Sequence, residues 1–307
     1  MTIDYVVPMV FPNDLKWRHE YLAANGLCRD DRSTLSNERY RTWGTEELLI
    51  RLIRKNLPWI RTIHIILARP SQVQPWMEQF TIHNSQFTIN GPQLRVVFHK
   101  DFIPEDKLPT FNSRAIEMYL CRIPDLAPYF LYGNDDMFPL APMGADEFFR
   151  PAADGDMLPC LTAKRKAFNP GKPFHQACMN GMNFVAAEFG KHYDTEWIHM
   201  GHNIMPMVRR TCEMFWERWP EKMSASVTPF RQWKNFNQYI YSWWQILSEK
   251  YVEHKPTRGY VSTSNTEEEI VNAIRTAEGL LCINDNEAVR DITNIAAVVR
   301  NELQKRL

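Results

Sequence analysis

Hydrophobic positions in the first 140 or so residues fall into two alternating kinds of run. Short β-branched stretches, Ile3–Val10 (IDYVVPMV), Ile63–Ala68 (IHIILA) and Leu94–His99 (LRVVFH), have the length and composition of buried strands. Pro8 marks an edge position, an irregularity or the strand's end. Between them, Thr45–Asn56 puts Leu48, Leu49, Leu52 and Ile53 on one helical face, and Glu47 reaches Arg51 one turn on. PTFNSRAIEMYLCRIP predicts a helix capped by Asn112 or Thr110 and ended before Pro124. Tyr129–Tyr132 (YFLY) is a further strand that runs straight into Gly-Asn-Asp-Asp. Strands alternating with helices predict an α/β fold with a mostly parallel sheet.

The pattern then changes. From about Pro139 to Pro173 the chain is rich in Pro, Gly and Ala, which predicts a long surface loop or lid. Residues 184–250 are helical in pattern and dense in Trp and Met, and Trp216, Trp219, Trp233, Trp243 and Trp244 are assigned to packing. Ser262–Glu278 reads as a capped helix with an acidic first turn, Leu280–Ile283 as a strand, and the remainder as a closing helix. The organisation expected is one catalytic unit: an α/β core from 1–138 and 255–307, with 139–254 as a loop or lid and helical insertion completing the active site.

Composition narrows the function classes. Lys+Arg and Asp+Glu both number 36, so the net charge is zero, which argues against whole-chain affinity for nucleic acid or anionic lipid. The longest apolar runs, such as Ile63–Ala68 and Ile295–Val299, stop short of a membrane span. The opening MTIDYVVPMVFPND lacks a basic n-region and a small-residue cleavage site, so a cytoplasmic protein is expected. The six cysteines show no CxxC and no zinc spacing, and read as reduced core thiols.

Two strands share an ending. FLYGNDD presents Asn134, Asp135 and Asp136, and LLCINDN presents Asn284, Asp285 and Asn286. Acids at the carboxyl ends of strands in an open α/β sheet are well placed for a ligand, and as hard oxygen donors they suit Mg²⁺ or Mn²⁺ beside a phosphate. Asx turns or helix caps account for the same residues. Nine histidines include no HxxxH or HExxH pair, and His202, in MGHNIMPM, sits at a loop-to-helix junction. Arg231, in TPFRQWKNF, suits bidentate phosphate binding or a carboxylate partner. The residues alone reach a phosphate or nucleotide site as one reading.

Several blocks together resemble the Stealth family, which includes bacterial capsule hexose-1-phosphate transferases and an animal N-acetylglucosamine-1-phosphotransferase. They are residues 3–17 with 39–67, residues 99–138 (ending in YFLYGNDDMF), HNIMPM with PFRQWKNFNQYIYSWW, and LCINDN. The resemblance implies a GT-A-like or Rossmann-like α/β core with a helical insertion after the NDD strand. It also implies transfer of a sugar-1-phosphate from a nucleotide sugar, a UDP-hexose or UDP-N-acetylhexosamine, to a glycan hydroxyl. The product would be a phosphodiester of a capsule or exopolysaccharide, and UMP would be released. Matched by position, Asp135 and Asp136 take metal coordination or acceptor activation, His202 general acid or base work, and Arg231 phosphate stabilisation. Asn112, Ser113, Arg41, Arg51, Asn134 and Asn284 fall to substrate or phosphate binding, with Asp14 as weaker support. Asp135, Asp136 and Asp285 form the implied set for Mg²⁺ or Mn²⁺. The implied partners are the nucleotide sugar, the polysaccharide acceptor and, peripherally at the inner face of the cell membrane, capsule-assembly machinery. Two positions depart from the family pattern: Phe11 and Asn235 stand where acids are expected. The alternatives are an ordinary glycosyltransferase that releases UDP and a catalytically silent polysaccharide-binding or assembly protein.

Overall fold

Alternate residues of the first apolar run face opposite ways: Ile3, Tyr5 and Val7 enter one hydrophobic cluster and Val6 another. Ile63, Ile65 and Leu67 against Ile66 repeat the division, as does Leu131 against Phe130 and Tyr132. A sheet buried on both faces needs cover on both sides, and helices supply most of it. The computed structural model describes residues 1–24, 26, 40–80, 91–286, 289 and 291–307.

In chain order the first half comprises β1 (Ile3–Pro8), α1 (Leu15–Ala24), α2 (Glu46–Asn56), β2 (Thr62–Leu67), β3 (Gln93–Phe98), α3 (Ser113–Met118), β4 (Tyr129–Tyr132) and β5 (Met137–Pro139). Next come β6 (Phe149–Pro151), β7 (Met157–Leu161), β8 (Arg165–Ala167), α4 (Pro173–Ala187), β9 (Glu196–Ile198) and β10 (Met205–Val208). The chain closes with α5 (Arg209–Arg218), α6 (Pro220–Ala225), α7 (Tyr239–Leu247), β11 (Val252–Glu253), β12 (Arg258–Ser262), α8 (Glu267–Thr276), β13 (Leu280–Asn284) and α9 (Thr293–Gln304).

The main sheet has the order β10-β4-β1-β2-β3, parallel except for β10. The mostly parallel α/β architecture expected from the sequence is therefore present. β1 is an interior strand, so Pro8 does not mark an edge; it marks the end. Met9 N–H donates to Ile66 on β2, so an N–H at Pro8 would point towards β4, where pairing has already ended at Val6. From β1 the chain moves outward through β2 to β3, then returns to place β4 on the other side of β1. That reversal makes a switch point between β1 and β4, and open α/β sheets bind ligands at the carboxyl side of such points.

A second sheet, β12-β13-β5, abuts this point. Residues 133–136 alone separate β4 from β5, so the Gly-Asn-Asp-Asp turn bridges the two sheets, and Ile283 N–H donates to the Asp136 carbonyl at 2.9 Å. The stretch expected as a loop or lid, 139–173, instead carries β6, β7 and β8. β7 pairs with β6 and with β11 from far along the chain, and Phe148, Phe149, Cys160 and Leu161 bury the result. Within the helical region, β10 is a further departure, taken into the main sheet against β4. Trp216, Trp219, Trp243 and Trp244 pack into the cluster on the α4–α7 face, whereas Trp233 is 53% exposed, contrary to its assignment to packing. Cys121, Cys160, Cys178, Cys212 and Cys282 are free and buried; Cys28 lies outside the described residues. No helix among the described residues is long and apolar enough to cross a membrane.

Candidate active site

A cleft of about 330 Å³ opens at the switch point. Into it come Asn134, Asp135 and Asp136 from the turn after β4, Asn284 and Asp285 from the end of β13, and His202 from the loop before β10. Ser113 from the start of α3, Arg231 from the loop before α7, and Arg41 join them, whereas Asn112 and Arg51, also expected at the site, do not line the cleft. Thus residues scattered over some 245 positions meet because two ND-ending strands belong to sheets that touch at Asp136.

His202 Nε2 lies 3.0 Å from Asp136 Oδ2. Cys282 Sγ donates to the same oxygen at 3.6 Å, while Asp136 Oδ1 is buried without a hydrogen-bond partner. Burial works against charge on His202, but the field of Asp136 and the hydrogen bond to it outweigh that and hold the imidazole above its ordinary pKa. Asp135 moves the other way for a carboxylate: burial first, then repulsion from Asp136 and Glu46, raises it to about 7. The turn rests on Tyr5, whose phenol is buried beneath it. A Cβ on Gly133 would collide with that ring, so the glycine supplies space.

These oxygens fit a hard divalent cation: one buried carboxylate oxygen lacks a partner, and the neighbouring carboxylate is short of positive charge. Among the described residues, ligand atoms of Asp136, His202 and Cys282 lie within 4.8 Å of one another. Burial and then the adjacent Asp136 push the Cys282 thiol far up, however, so it stays protonated and does not make this trio a thiolate zinc site. Asp285, expected in the metal set, is engaged elsewhere. Arg41 grips it with two hydrogen bonds, 2.6 Å to Oδ2 and 2.5 Å to Oδ1, and Trp43 Nε1 donates at 3.2 Å.

Arg231 Nη2 donates to Ser113 Oγ at 2.8 Å and lies in the field of buried Glu117. Its loop is tied by Asn235. That side chain accepts from Gln232 N–H at 2.7 Å and from Asn112 Nδ2 at 3.0 Å, and donates to the Ser226 carbonyl at 2.7 Å. Fully buried and outside the cleft lining, Asn235 is a structural knot. Asn112 is likewise fully buried; its side chain caps α3 by accepting from Arg114 N–H at 3.1 Å. Arg51 sits on the outer face of α2, paired with Glu47 at 2.6 Å and stacked over Phe80. Asp14 accepts from Lys16 and Trp17 N–H and from Ser71 Oγ, capping α1. Phe11 belongs to the core.

Other lining residues carry no motif. Glu46, at the first turn of α2, is a third acid, raised by burial. His99 is pushed down to about 4 by burial and Arg69, hence neutral. At one end Trp17, Tyr40 and Phe111 meet edge to face, with ring centroids 5.2 and 5.5 Å apart from Trp17, to form an apolar wall. Of these residues, Tyr40 and Glu46 fall in RYRTWGTEE, a stretch dense in aromatic and charged residues, while Trp17, His99 and Phe111 lie elsewhere in the chain.

Residues 39–156 match the family model described as Stealth protein CR2, conserved region 2. That span holds Arg41, Ser113, Asp135 and Asp136; His202, Arg231 and Asp285 lie beyond it. Over nearly the whole chain there are curated relatives. The receptor polysaccharide phosphotransferase WefC of Streptococcus gordonii is 27% identical, covering 94% of this chain and 92% of that protein. A capsular polysaccharide phosphotransferase WcwK of Streptococcus pneumoniae is 26% identical (99% and 96%), and the exopolysaccharide phosphotransferase cps2G of Lactiplantibacillus plantarum 26% (99% and 94%). Among solved structures, the apo form of the bifunctional glycosyltransferase WbbM superposes with a TM-score of 0.41 at 10% identity, covering 99% of this chain and 51% of that one. The chain thus spans about half the length of that solved structure.

Proposed function

We propose, from the premise that this chain belongs to the Stealth family, that it moves a sugar-1-phosphate from a nucleotide sugar to a glycan hydroxyl in capsule or exopolysaccharide synthesis. The observation that carries the mechanism is the His202–Asp136 pair at the floor of a cleft flanked by Arg231. With Nε2–H given to Asp136, the opposite nitrogen, Nδ1, holds the lone pair and takes the proton of the acceptor hydroxyl. The acceptor oxygen forms a bond to the sugar-bearing phosphorus. The bond from that phosphorus to the bridging oxygen breaks, and nucleoside monophosphate leaves with the electron pair. Arg231, steadied by Ser113, faces the charge on the transferred phosphoryl. Asp135 and Asp136 would hold Mg²⁺ or Mn²⁺, which supplies charge neutralisation at the pyrophosphate. Arg41, oriented by Asp285, and the Trp17–Tyr40–Phe111 wall suit the nucleotide half of the donor, a UDP-sugar.

The test is product chemistry. With Mg²⁺, UDP-N-acetylglucosamine and a capsule-type oligosaccharide, phosphorus NMR of the purified glycan is expected to show a phosphodiester; a phosphorus-free product, extended by one sugar, would overturn the reading.

A further inference from the structure

Outside the cleft mouth, the antiparallel β8–β9 pair and its surroundings carry cations that this reaction leaves unused. Lys164 and Lys166 share one side of the strand, as the twofold period requires. Arg165 points the other way, 3.8 Å from Glu196. Lys166 Nζ lies 3.5 Å from His199 Nε2, and His199 N–H donates to the Lys164 carbonyl at 2.9 Å. Arg258, at the start of β12, joins this group, for both it and the two lysines bear on His199 electrostatically. Among the described residues no carboxylate pairs with Lys164, Lys166 or Arg258. Arg258 is half-buried, and burial lowers its pKa from the ordinary arginine value. A desolvated guanidinium without an acid beside it is an arrangement that an anionic ligand completes.

The strip leads to the catalytic pair. A Cβ placed on Gly201, whose φ is +77°, would stand 3.4 Å from Arg258 Nη2, and the next residue is His202. Tyr239 Oη donates to the Gly201 carbonyl at 2.9 Å, fixing that backbone. Two exposed aromatic rings flank it. Phe174, 44% exposed, packs edge-on against Tyr239, and Tyr260, 58% exposed, lies two residues beyond Arg258 and within the fields of Cys282 and Asp136.

We propose that Arg258, Lys166 and Lys164, with Phe174 and Tyr260 as stacking faces, form a subsite for an anionic acceptor glycan whose units are joined by phosphodiesters. The occupant follows from charge complementarity and rests on the function proposed above: each transfer leaves a phosphodiester behind the new chain end, and the strip runs outward from the site where that end reacts. Aromatic faces suit sugar rings, and the cations suit the linking phosphates.

Binding without donor keeps this separate from the transfer reading. The probe is a fluorescent phosphodiester-linked hexose oligosaccharide, with a neutral dextran oligosaccharide of equal length as control. Wild type is expected to prefer the anionic probe. Both Arg258→Ala and the exposed pair Lys164→Ala/Lys166→Ala are expected to weaken its binding about tenfold each, the worth of a charge-assisted contact, while titration calorimetry finds UDP affinity unchanged. Equal affinity for both glycans, or unaltered anionic-glycan binding in the variant of the two exposed lysines, would overturn the subsite. So would variants that lose adhesion to phosphatidylglycerol vesicles yet keep the glycan. Release of UDP in place of UMP would sink the transfer reading while leaving this binding result intact.

Discussion

His202 and Asp136 share one hydrogen bond, so neither works alone. Asp136→Asn keeps the shape but removes the charge that orients the imidazole, and turnover should fall about 10²–10⁴-fold with the circular dichroism spectrum unchanged. His202→Ala should fall similarly, and the double variant little further, because the pair acts as a unit. Near-normal turnover in either single variant would remove that residue from the mechanism. The pH dependence follows from sign. The base must be neutral, and His202 is held above its ordinary value; Asp135 must be ionised to meet a cation, and it titrates at about 7. Acid disables both, so kcat/KM should fall as pH drops through neutrality. A profile flat from about pH 5 to 8, the range over which a histidine of ordinary pKa titrates, would contradict these roles.

At the scale of elements, the turn between β4 and β5 is built around a missing side chain. Gly133→Ala drives a methyl into Tyr5 beneath the turn. About 1–3 kcal/mol of stability should be lost by overpacking, together with most activity, as measured by denaturant unfolding and turnover. Asn235 is the matching device on the other wall. Asn235→Ala strands several buried partners of the Arg231 loop and should cost about 2–4 kcal/mol, with weaker donor binding following from the misplaced arginine. The strands β1 to β4 and helix α2 are legible in sequence because local period and turn residues agree with their tertiary burial. The strands β6 to β8 are not. Their prolines and glycines read as loop, and what makes β7 a strand is partly β11, some 90 residues away. β10 fails for a similar reason: a four-residue MPMV run has no period of its own, and only docking on β4 defines it. The chemistry-bearing residues Asp135, Asp136, His202 and Arg231 are recognisable by type and by resemblance. Glu46 is not, because the packing of α2 brings it in; Arg41 and Asp285 are named by resemblance, but not as partners, because their contact joins positions 244 apart.

Across the whole molecule the site lies at one end of the main sheet and an anchoring node at the other. Buried Asp4 takes two hydrogen bonds from Arg61, one from His64 at 3.0 Å and one from Ala127 N–H, tying β1, β2 and the approach to β4. Burial alone would raise its pKa, but these bonds hold it below the ordinary value. Its contribution is therefore present above the usual aspartate range and lost as pH falls through the lowered pKa. Asp4→Asn should cost about 3 kcal/mol at neutral pH and much less in acid, seen as a denaturation midpoint that converges on wild type; a pH-independent difference would contradict the ionic role. The central claim is about which bond breaks at the other end of the sheet. Chromatographic separation of the nucleotide released from UDP-N-acetylglucosamine in the presence of acceptor and Mg²⁺ tests it most directly. The account predicts UMP, formed in step with product and abolished in Asp136→Asn. UDP would mean that the sugar–oxygen bond is cleaved and would contradict it.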